Sequence, residues 1–257
     1  MQEGVAESRD VAPKESLKAR MRRRSGEALW KYGAPVMVHA ARRNLGRKAR
    51  SITDYRSAVS FVFGYKYLGL TIAPGQVPSE IEGLLAELAA KKPRIVLEIG
   101  TYRGGTLFLF SRVATDDARL ISVDLPGGQF GGGYPSWKNP LYESFAKGSQ
   151  QVRLIRGDSH LRTTMEAAAG LTDGGEVDFL FIDGDHTYEG VKSDFELYSG
   201  LVAKGGMVAF HDILPHTTVP DVGVHRYWDE IKGSYDSHEI VADRAQGWAG
   251  IGVITIR

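Results

Sequence analysis

Two short stretches of this sequence hold side chains that acid–base or metal chemistry needs. Phe181-Ile-Asp-Gly-Asp-His186 carries Asp183, Asp185 and His186, and Met207-Val-Ala-Phe-His-Asp212 ends in His211 and Asp212. Each is an apolar run that stops at a polar residue, as a buried strand does where it reaches the sheet edge. If the two strands are neighbours, Asp183 and Asp212 converge. Carboxylates with an imidazole beside them can hold a divalent cation, which lowers the pKa of a hydroxyl and orients it. Hard oxygen ligands suit Mg2+, whereas an imidazole at His211 shifts the preference toward Mn2+, Fe2+ or Zn2+. The plainer alternative is that His211 and Asp212 cap the strand and bond each other. Asp185 and His186 each offer a general base, and histidine is the better match to neutral pH. His216 and His225 follow the fifth strand and could reach an acceptor, although a surface or structural role is the simpler account of each.

A second group points to a small-molecule site. Glu98-Ile-Gly-Thr-Tyr-Arg-Gly-Gly105, followed by Thr106, joins an apolar run to a helical one. Gly100, Gly104 and Gly105 have the spacing G-x-x-x-G-G, not the G-x-G-x-x-G of dinucleotide binding. Glycines let the backbone approach a ligand closely, and a helix N-terminus favours a carboxylate. Glu98 would repel a pyrophosphate and favour a cation. S-adenosylmethionine has no phosphate and carries an amino group, a carboxylate and a sulfonium, so it suits a turn made of Glu98, Gly100, Thr101, Tyr102, Gly104, Gly105 and Thr106. Asp124 ends the next apolar run and can accept from ribose hydroxyls, and Asp158-Ser159 after the third is placed for an adenine ring. Gly127-Gly-Gln-Phe-Gly-Gly-Gly-Tyr134 reads as a mobile loop, either a cover for the cofactor or an insertion.

The elements that must position these residues alternate regularly. Strands are expected at 94–100, 119–124, 152–158, 177–183 and 207–212, the last after a Gly205-Gly206 turn. Helices are expected at 79–90, with Ser79 as N-cap, at 104–113, after the third and fourth strands, and at 224–232. Residues 238–242 and 250–256 read as two closing strands. Near-continuous apolar strands between helices imply a parallel sheet covered on both faces. Right-handed crossovers then bring Gly100, Asp124, Asp158, Asp183 and Asp212 to one rim. Phe61, Phe63, Tyr65 and Tyr67 fall at every second position, which suits a packed transition segment or an aromatic lid.

Bulk properties bound the rest. The chain has 257 residues, 42% hydrophobic and 25% charged, with a formal net charge of +1. That fits one larger α/β domain with an N-terminal appendage and gives no global field for nucleic acid or a membrane surface. With no cysteine, disulfides, thiolate metal sites and a cysteine nucleophile are excluded. No apolar run is long enough to span a bilayer, and the polar N-terminus has no secretory h-region, so a cytoplasmic location is expected. Residues 1–25 read as a flexible basic tail with Arg20, Arg22, Arg23 and Arg24. Residues 26–90 read as a helical or lid segment, and 91–257 as the catalytic domain.

The combination EIGTYRGGT (98–106), Asp124, GDSH (157–160), FIDGDHTYEGV (181–191) and GGMVAFHD (205–212) resembles the class I S-adenosylmethionine-dependent methyltransferases. More narrowly, it resembles the metal-dependent small-molecule O-methyltransferases related to cephalosporin-hydroxylase-like proteins and antibiotic sugar O-methyltransferases. The resemblance implies a Rossmann-like three-layer αβα fold with a mostly parallel seven-stranded sheet of order 3-2-1-4-5-7-6. It implies S-adenosyl-L-methionine and Mg2+ or another divalent metal as cofactors, with Asp183, His211 and Asp212 as ligands. His211 departs from the commoner carboxylate, which puts the metal's identity in question. The implied reaction is methylation of a hydroxyl on a sugar nucleotide or glycoside, with His186 or Asp185 as base. A homo-oligomer is expected, with no nucleic-acid or membrane partner. The competing readings are an NAD-dependent oxidoreductase on a similar sheet, a non-methylating member of the cephalosporin-hydroxylase-like family, and a nucleic-acid methyltransferase using the N-terminal arginines.

Overall fold

The computed structural model describes residue 33, residues 36–127 and residues 132–257. The chain has two compact units, residues 1–37 and 38–257. Most of the first, with the basic cluster at Arg20–Arg24, lies outside the described residues, as do positions 128–131 of the glycine-rich loop. Among the described residues no helix is long and apolar enough to cross a membrane.

The second unit opens with helix α1 over residues 38–48, which buries Val38, Ala41 and Leu45 along one stripe. Helix α2 (Tyr55–Gly64) starts at a capping box: Asp54 accepts from the Ser57 amide, and Ser57 Oγ accepts from the Asp54 amide. A short hairpin, β1 (Lys66–Tyr67) and β2 (Leu70–Thr71), follows. Helix α3 (Pro78–Lys91) begins one residue earlier than the sequence suggests, with Val77 as N-cap and Ser79 inside the helix. Proline explains the shift, because its fixed φ and missing N–H suit the first helical position.

Then come β3 (Ile95–Ile99), α4 (Gly105–Val113), β4 (Arg119–Asp124), α5 (Asn139–Glu143), β5 (Gln151–Arg156), α6 (Arg162–Gly170), β6 (Val177–Ile182), α7 (Tyr188–Tyr198), β7 (Val202–His211), α8 (Val224–Ile231), β8 (Asp236–Ile240) and β9 (Ile251–Thr255). Seven strands form one sheet in the order β5-β4-β3-β6-β7-β9-β8. Counted within that sheet, this is the expected 3-2-1-4-5-7-6. The pairs from β5 through β7 are parallel, and β9 runs antiparallel to β7 and β8.

The sheet is buried on both faces, and alternate residues serve each. Val96, Leu120, Phe179, Phe181 and Ala209 pack with α1–α4. Leu97, Ile121, Leu180, Ile182 and Phe210 pack with residues of α6, α7 and α8. A strand with both faces covered needs mostly apolar residues, which is why β3 and β6 are hydrophobic apart from Glu98 and Asp178.

Two local expectations are corrected. Gly205 and Gly206 form no turn before the fifth sheet strand. They lie inside β7, where the β6–β7 register shifts between Val177 and Phe179 and Gly205 takes φ 81°. The Gly205 amide still donates to Ile256 O at 2.7 Å and Gly206 O accepts from the Ile256 amide at 3.0 Å, so a bulge keeps the ladder paired. The alternating aromatics at 61–67 are the helix-to-strand transition, not a lid. Phe61 stacks on Phe108 at 5.5 Å, and buried Tyr65 donates its hydroxyl to Ala41 O at 3.2 Å.

Candidate active site

The parallel strands end on one rim, and strand order reverses between β3 and β6. Ligands of open α/β sheets bind at such a point. Here the turn after β3 is pressed against the loop after β6: the Asp183 amide donates to Ile99 O at 2.9 Å, and the Gly100 amide to Val123 O at 2.8 Å. Gly100 takes φ 99°, and a Cβ there would lie 2.0 Å from Asp183 O.

Two cavities open at this rim. One, about 430 Å³, is walled by Gly100, Asp124, Asp158, Ser159, His160 and Asp185 among others. The other, about 340 Å³, shares Gly100 and Asp124 and adds Tyr102, Asp183, His186, His211, Asp212 and His216. The structure thus separates the two candidate bases. Asp185 faces the larger cavity and accepts from the Thr187 amide at 2.9 Å, whereas His186 faces the smaller.

The expected cofactor residues divide into a wall and a ring behind it. Gly100, Tyr102, Asp124, Asp158, Ser159 and Asp183 line the cavities. Glu98, Thr101, Gly104, Gly105 and Thr106 line neither. A Cβ on Gly105 would come within 2.3 Å of Ile72 O, so the start of α4 is packed under the segment after β2. Glu98 is fully buried and accepts from the hydroxyls of Thr106 and Ser122. Thr101 Oγ1 lies 2.6 Å from Ser122 Oγ. This ring shapes the turn.

Asp124 also differs from expectation. Its Oδ2 accepts from the amides of Thr101 and Tyr102 at 3.1 and 2.7 Å. Its Oδ1 accepts from those of Leu125 and Gly133 at 2.7 and 3.0 Å. Each carboxylate oxygen has two lone pairs, so all four are in use. Burial raises its pKa against those four bonds. The carboxylate ties the glycine turn to the loop that follows β4, and a ribose hydroxyl must displace one of these amides.

Burial pushes the Glu98 carboxyl up to about 8, against its bonds to Ser122 and Thr106. The unfolded chain releases this proton near 4.5, so between those values the folded state holds more protons. Stability contributed by Glu98 therefore falls as pH rises from about 4.5 to 8 and levels off above. Urea unfolding across this range should show a loss on the order of 3–5 kcal/mol that Glu98→Gln removes. Parallel profiles for the two proteins would contradict this account.

The smaller cavity ends in a buried cluster. Asp183, His186 and Asp212 each offer a ligand atom within 4.8 Å of the others. His186 Nδ1 bonds Asp212 Oδ2, and His186 Nε2 lies 4.0 Å from Asp183 Oδ1. His211, outside that closest set, has Nδ1 3.1 Å from Asp183 Oδ1 and 3.3 Å from Asp212 Oδ1. Burial lowers the pKa of His186, but the Asp212 bond and the Asp183 charge outweigh it and raise the net value. The same contest raises His211 well above its ordinary value, and the three imidazoles hold Asp212 well below the usual carboxylate range despite burial.

Two further residues join the cluster, and sequence reasoning misses the first. Gln76 Nε2 donates to Asp183 Oδ2 at 2.7 Å, from a stretch legible only as Pro/Gly punctuation. His216 Nε2 lies 2.8 Å from Asp212 Oδ1, although the sequence favours a structural role. His225 lines neither cavity.

Comparison with known proteins agrees with this geometry. Residues 97–213 match the methyltransferase-domain family Methyltransf_24. An uncharacterized protein, y4gI, of Sinorhizobium fredii is 32% identical over 147 residues, 55% of this chain and 15% of its own length. A probable caffeoyl-CoA O-methyltransferase of Dictyostelium discoideum is 28% identical over 133 residues, 51% of this chain and 47% of its own. The chain thus spans less than half the length of these two curated relatives. The calicheamicin methyltransferase CalS11 superposes over 99% of both chains with a TM-score of 0.53 at 14% identity, a likeness of fold. The methyltransferase-domain match runs from β3 to just past β7 of the sheet described above, and the solved structure shares that fold.

Proposed function

We propose that the chain is an S-adenosylmethionine-dependent O-methyltransferase, assisted by a divalent metal, that methylates a hydroxyl of a sugar or glycosylated small molecule. The observation that carries this reading is the meeting of Asp183, His186 and Asp212 in the cavity that shares Gly100 and Asp124 with the neighbouring one. The larger cavity suits the methyl donor. Gly100 provides a close backbone approach, Asp158 and Ser159 stand at the purine end, and Asp124 lies between the two cavities. Among the described residues, three aspartates and no lysine or arginine line that cavity. This favours a cationic ligand and opposes the pyrophosphate of NAD.

Bound S-adenosylmethionine supplies a methyl group on a sulfonium, which passes to oxygen as the carbon–sulfur bond breaks. A hydroxyl attacks well only as its proton leaves. Asp212 holds the imidazole of His186 through Nδ1, so Nε2 is the atom that takes that proton. Asp185 faces the other cavity and is the weaker candidate. The residues also fit a cation. Asp183 Oδ1 and both ring nitrogens of His211 are buried without an aligned hydrogen-bond partner among the described residues. Asp183, His211 and Asp212 would hold the ion, and it would acidify the acceptor hydroxyl whose proton His186 takes. Imidazole in the set favours Mn2+ over Mg2+.

The test is transfer of labelled methyl to a panel of nucleotide-sugar and glycoside acceptors, with and without EDTA, beside calorimetric titration of S-adenosylmethionine and NAD. NAD binding without S-adenosylmethionine binding would refute the proposal. His186→Ala should cut turnover by about 10²–10⁴-fold and leave the Kd for S-adenosylmethionine within about twofold. An equal loss of cofactor affinity would place His186 in the wrong cavity.

A further inference from the structure

The smaller cavity has a polar floor and an apolar mouth. His211 and Asp212 are buried, each 3% exposed, and Asp183, His186 and His216 are partly buried. Val219 and Trp248, also in its lining, are 38% and 40% exposed, and partly buried Tyr102 joins them. Leu125, another half-exposed apolar residue, lines the adjoining cavity. Large apolar side chains left in water around one opening mark a surface that a ligand covers. Among the described residues, no lysine or arginine lines the smaller cavity.

Trp248 is held in place from several directions. Its loop joins β8 to β9. Glu80 of α3, 1% exposed, accepts through Oε1 from the Ala242 amide at 2.9 Å and from Gln246 Nε2 at 2.8 Å. Its Oε2 accepts from the Gly250 amide at 3.0 Å. Gln246 Nε2 also donates to Trp248 O at 2.8 Å. On the other side, the Ala249 amide donates to Asp212 Oδ1 at 3.2 Å, and Ala249 O accepts from the Leu214 amide at 3.0 Å. The residue after Trp248 is therefore bonded to the carboxylate that orients His186. A rigid backbone presenting a half-exposed indole is a preorganised surface, which binds without a large ordering cost.

We infer that Trp248 is the acceptor platform: its indole face receives the apolar face of an uncharged hydroxylated ring, whose hydroxyl then points down to the Asp183–His186–Asp212 cluster. This rests on the methyl-transfer reading and deepens it. A sugar ring has a C–H face and an aryl ring a π face, and either can lie on an indole while its hydroxyls reach a polar floor. A phosphate within the cavity would meet three carboxylates and, among the described residues, no lysine or arginine. The site accordingly takes a glycoside in preference to a phosphorylated sugar.

The test uses the full chain saturated with S-adenosylhomocysteine and two probes, phenyl β-D-glucopyranoside and glucose 1-phosphate, followed by ligand-observed NMR and calorimetry. The glucoside should bind the wild type and bind Trp248→Ala at least about tenfold more weakly, with Trp248→Phe within about threefold. Glucose 1-phosphate should bind more weakly than the glucoside. The Kd for S-adenosylhomocysteine and the thermal melt should be the same in all three proteins. Unchanged glucoside affinity in Trp248→Ala, no glucoside binding by the wild type, or tighter binding of the phosphate overturns the platform. Failure of S-adenosylhomocysteine to bind instead sinks the methyltransferase reading, and the probe titrations without it still report on Trp248.

Discussion

Asp212→Asn is expected to lower kcat/KM for methyl transfer by about 10³-fold, while the affinity for S-adenosylmethionine stays within a few fold. The substitution keeps the shape of the side chain and removes its charge. Asp212 accepts from the Ala249 amide, lies 2.8 Å from His216 Nε2 and bonds His186 Nδ1. Asparagine can retain some of these contacts through its oxygen, but it cannot balance the imidazoles or hold His186 as a proton acceptor. The backbone tolerates the exchange, because Asp212 has φ 63° and asparagine enters the left-handed region readily. Single-turnover transfer of labelled methyl measures the chemical step, and calorimetry measures cofactor binding. A rate within tenfold of wild type would remove Asp212 from the mechanism, and an equal loss of cofactor affinity would assign it to binding.

Gly100→Ala should produce the largest loss of stability from a single methyl group in the site. The added carbon would meet Asp183 O at 2.0 Å and Asp183 C at 2.5 Å. Both are backbone atoms of the loop after β6, so no side-chain rotation relieves the clash. The φ of 99° adds strain for any residue with a Cβ. A cost of about 4 kcal/mol or more is expected, read as a shift in the urea midpoint. Binding of S-adenosylmethionine should be lost in whatever folded protein remains, since relief requires β3 and β6 to part at the rim. Gly170→Ala is the control. It sits at the end of α6 with nothing within 4 Å of the new carbon, and it should change stability by less than about 1 kcal/mol. Similar midpoints for the two variants would show that the close approach at Gly100 yields easily.

The residues whose substitution matters most lie far apart in sequence, and the two predictions depend on the same junction. Gly100 follows β3, Asp183 follows β6, and Asp212 follows β7. The β3–β6 pairing sets Gly100 against Asp183, and the β6–β7 pairing sets Asp183 beside His211 and Asp212. Side-by-side parallel strands end level with one another, so carboxylates at their tips are gathered without any long-range design of the loops.

What the sequence by itself determined follows from periodicity and from the chemistry of single residue types. Near-continuous apolar runs at 95–99 and 177–182, each holding a single acid (Glu98, Asp178), read as strands covered on both faces, and their alternation with helices specifies a parallel sheet and its functional rim. The absence of cysteine closed whole classes of chemistry, and the acids at the strand tips marked the site. Only the tertiary structure decided which of those acids face a cavity. Glu98 and Asp124 both look like ligand contacts in sequence, but Glu98 is buried among hydroxyls and lines neither cavity, whereas Asp124 lines both and also accepts from four amides. Asp185 and His186 are adjacent in the chain yet open into different cavities, since the backbone turns between them. Gln76, His216 and Trp248 reach the cluster from a proline-punctuated turn, a post-strand loop and the β8–β9 connection. No local pattern encodes that meeting, because it arises when packing on both faces of one sheet fixes where each loop ends.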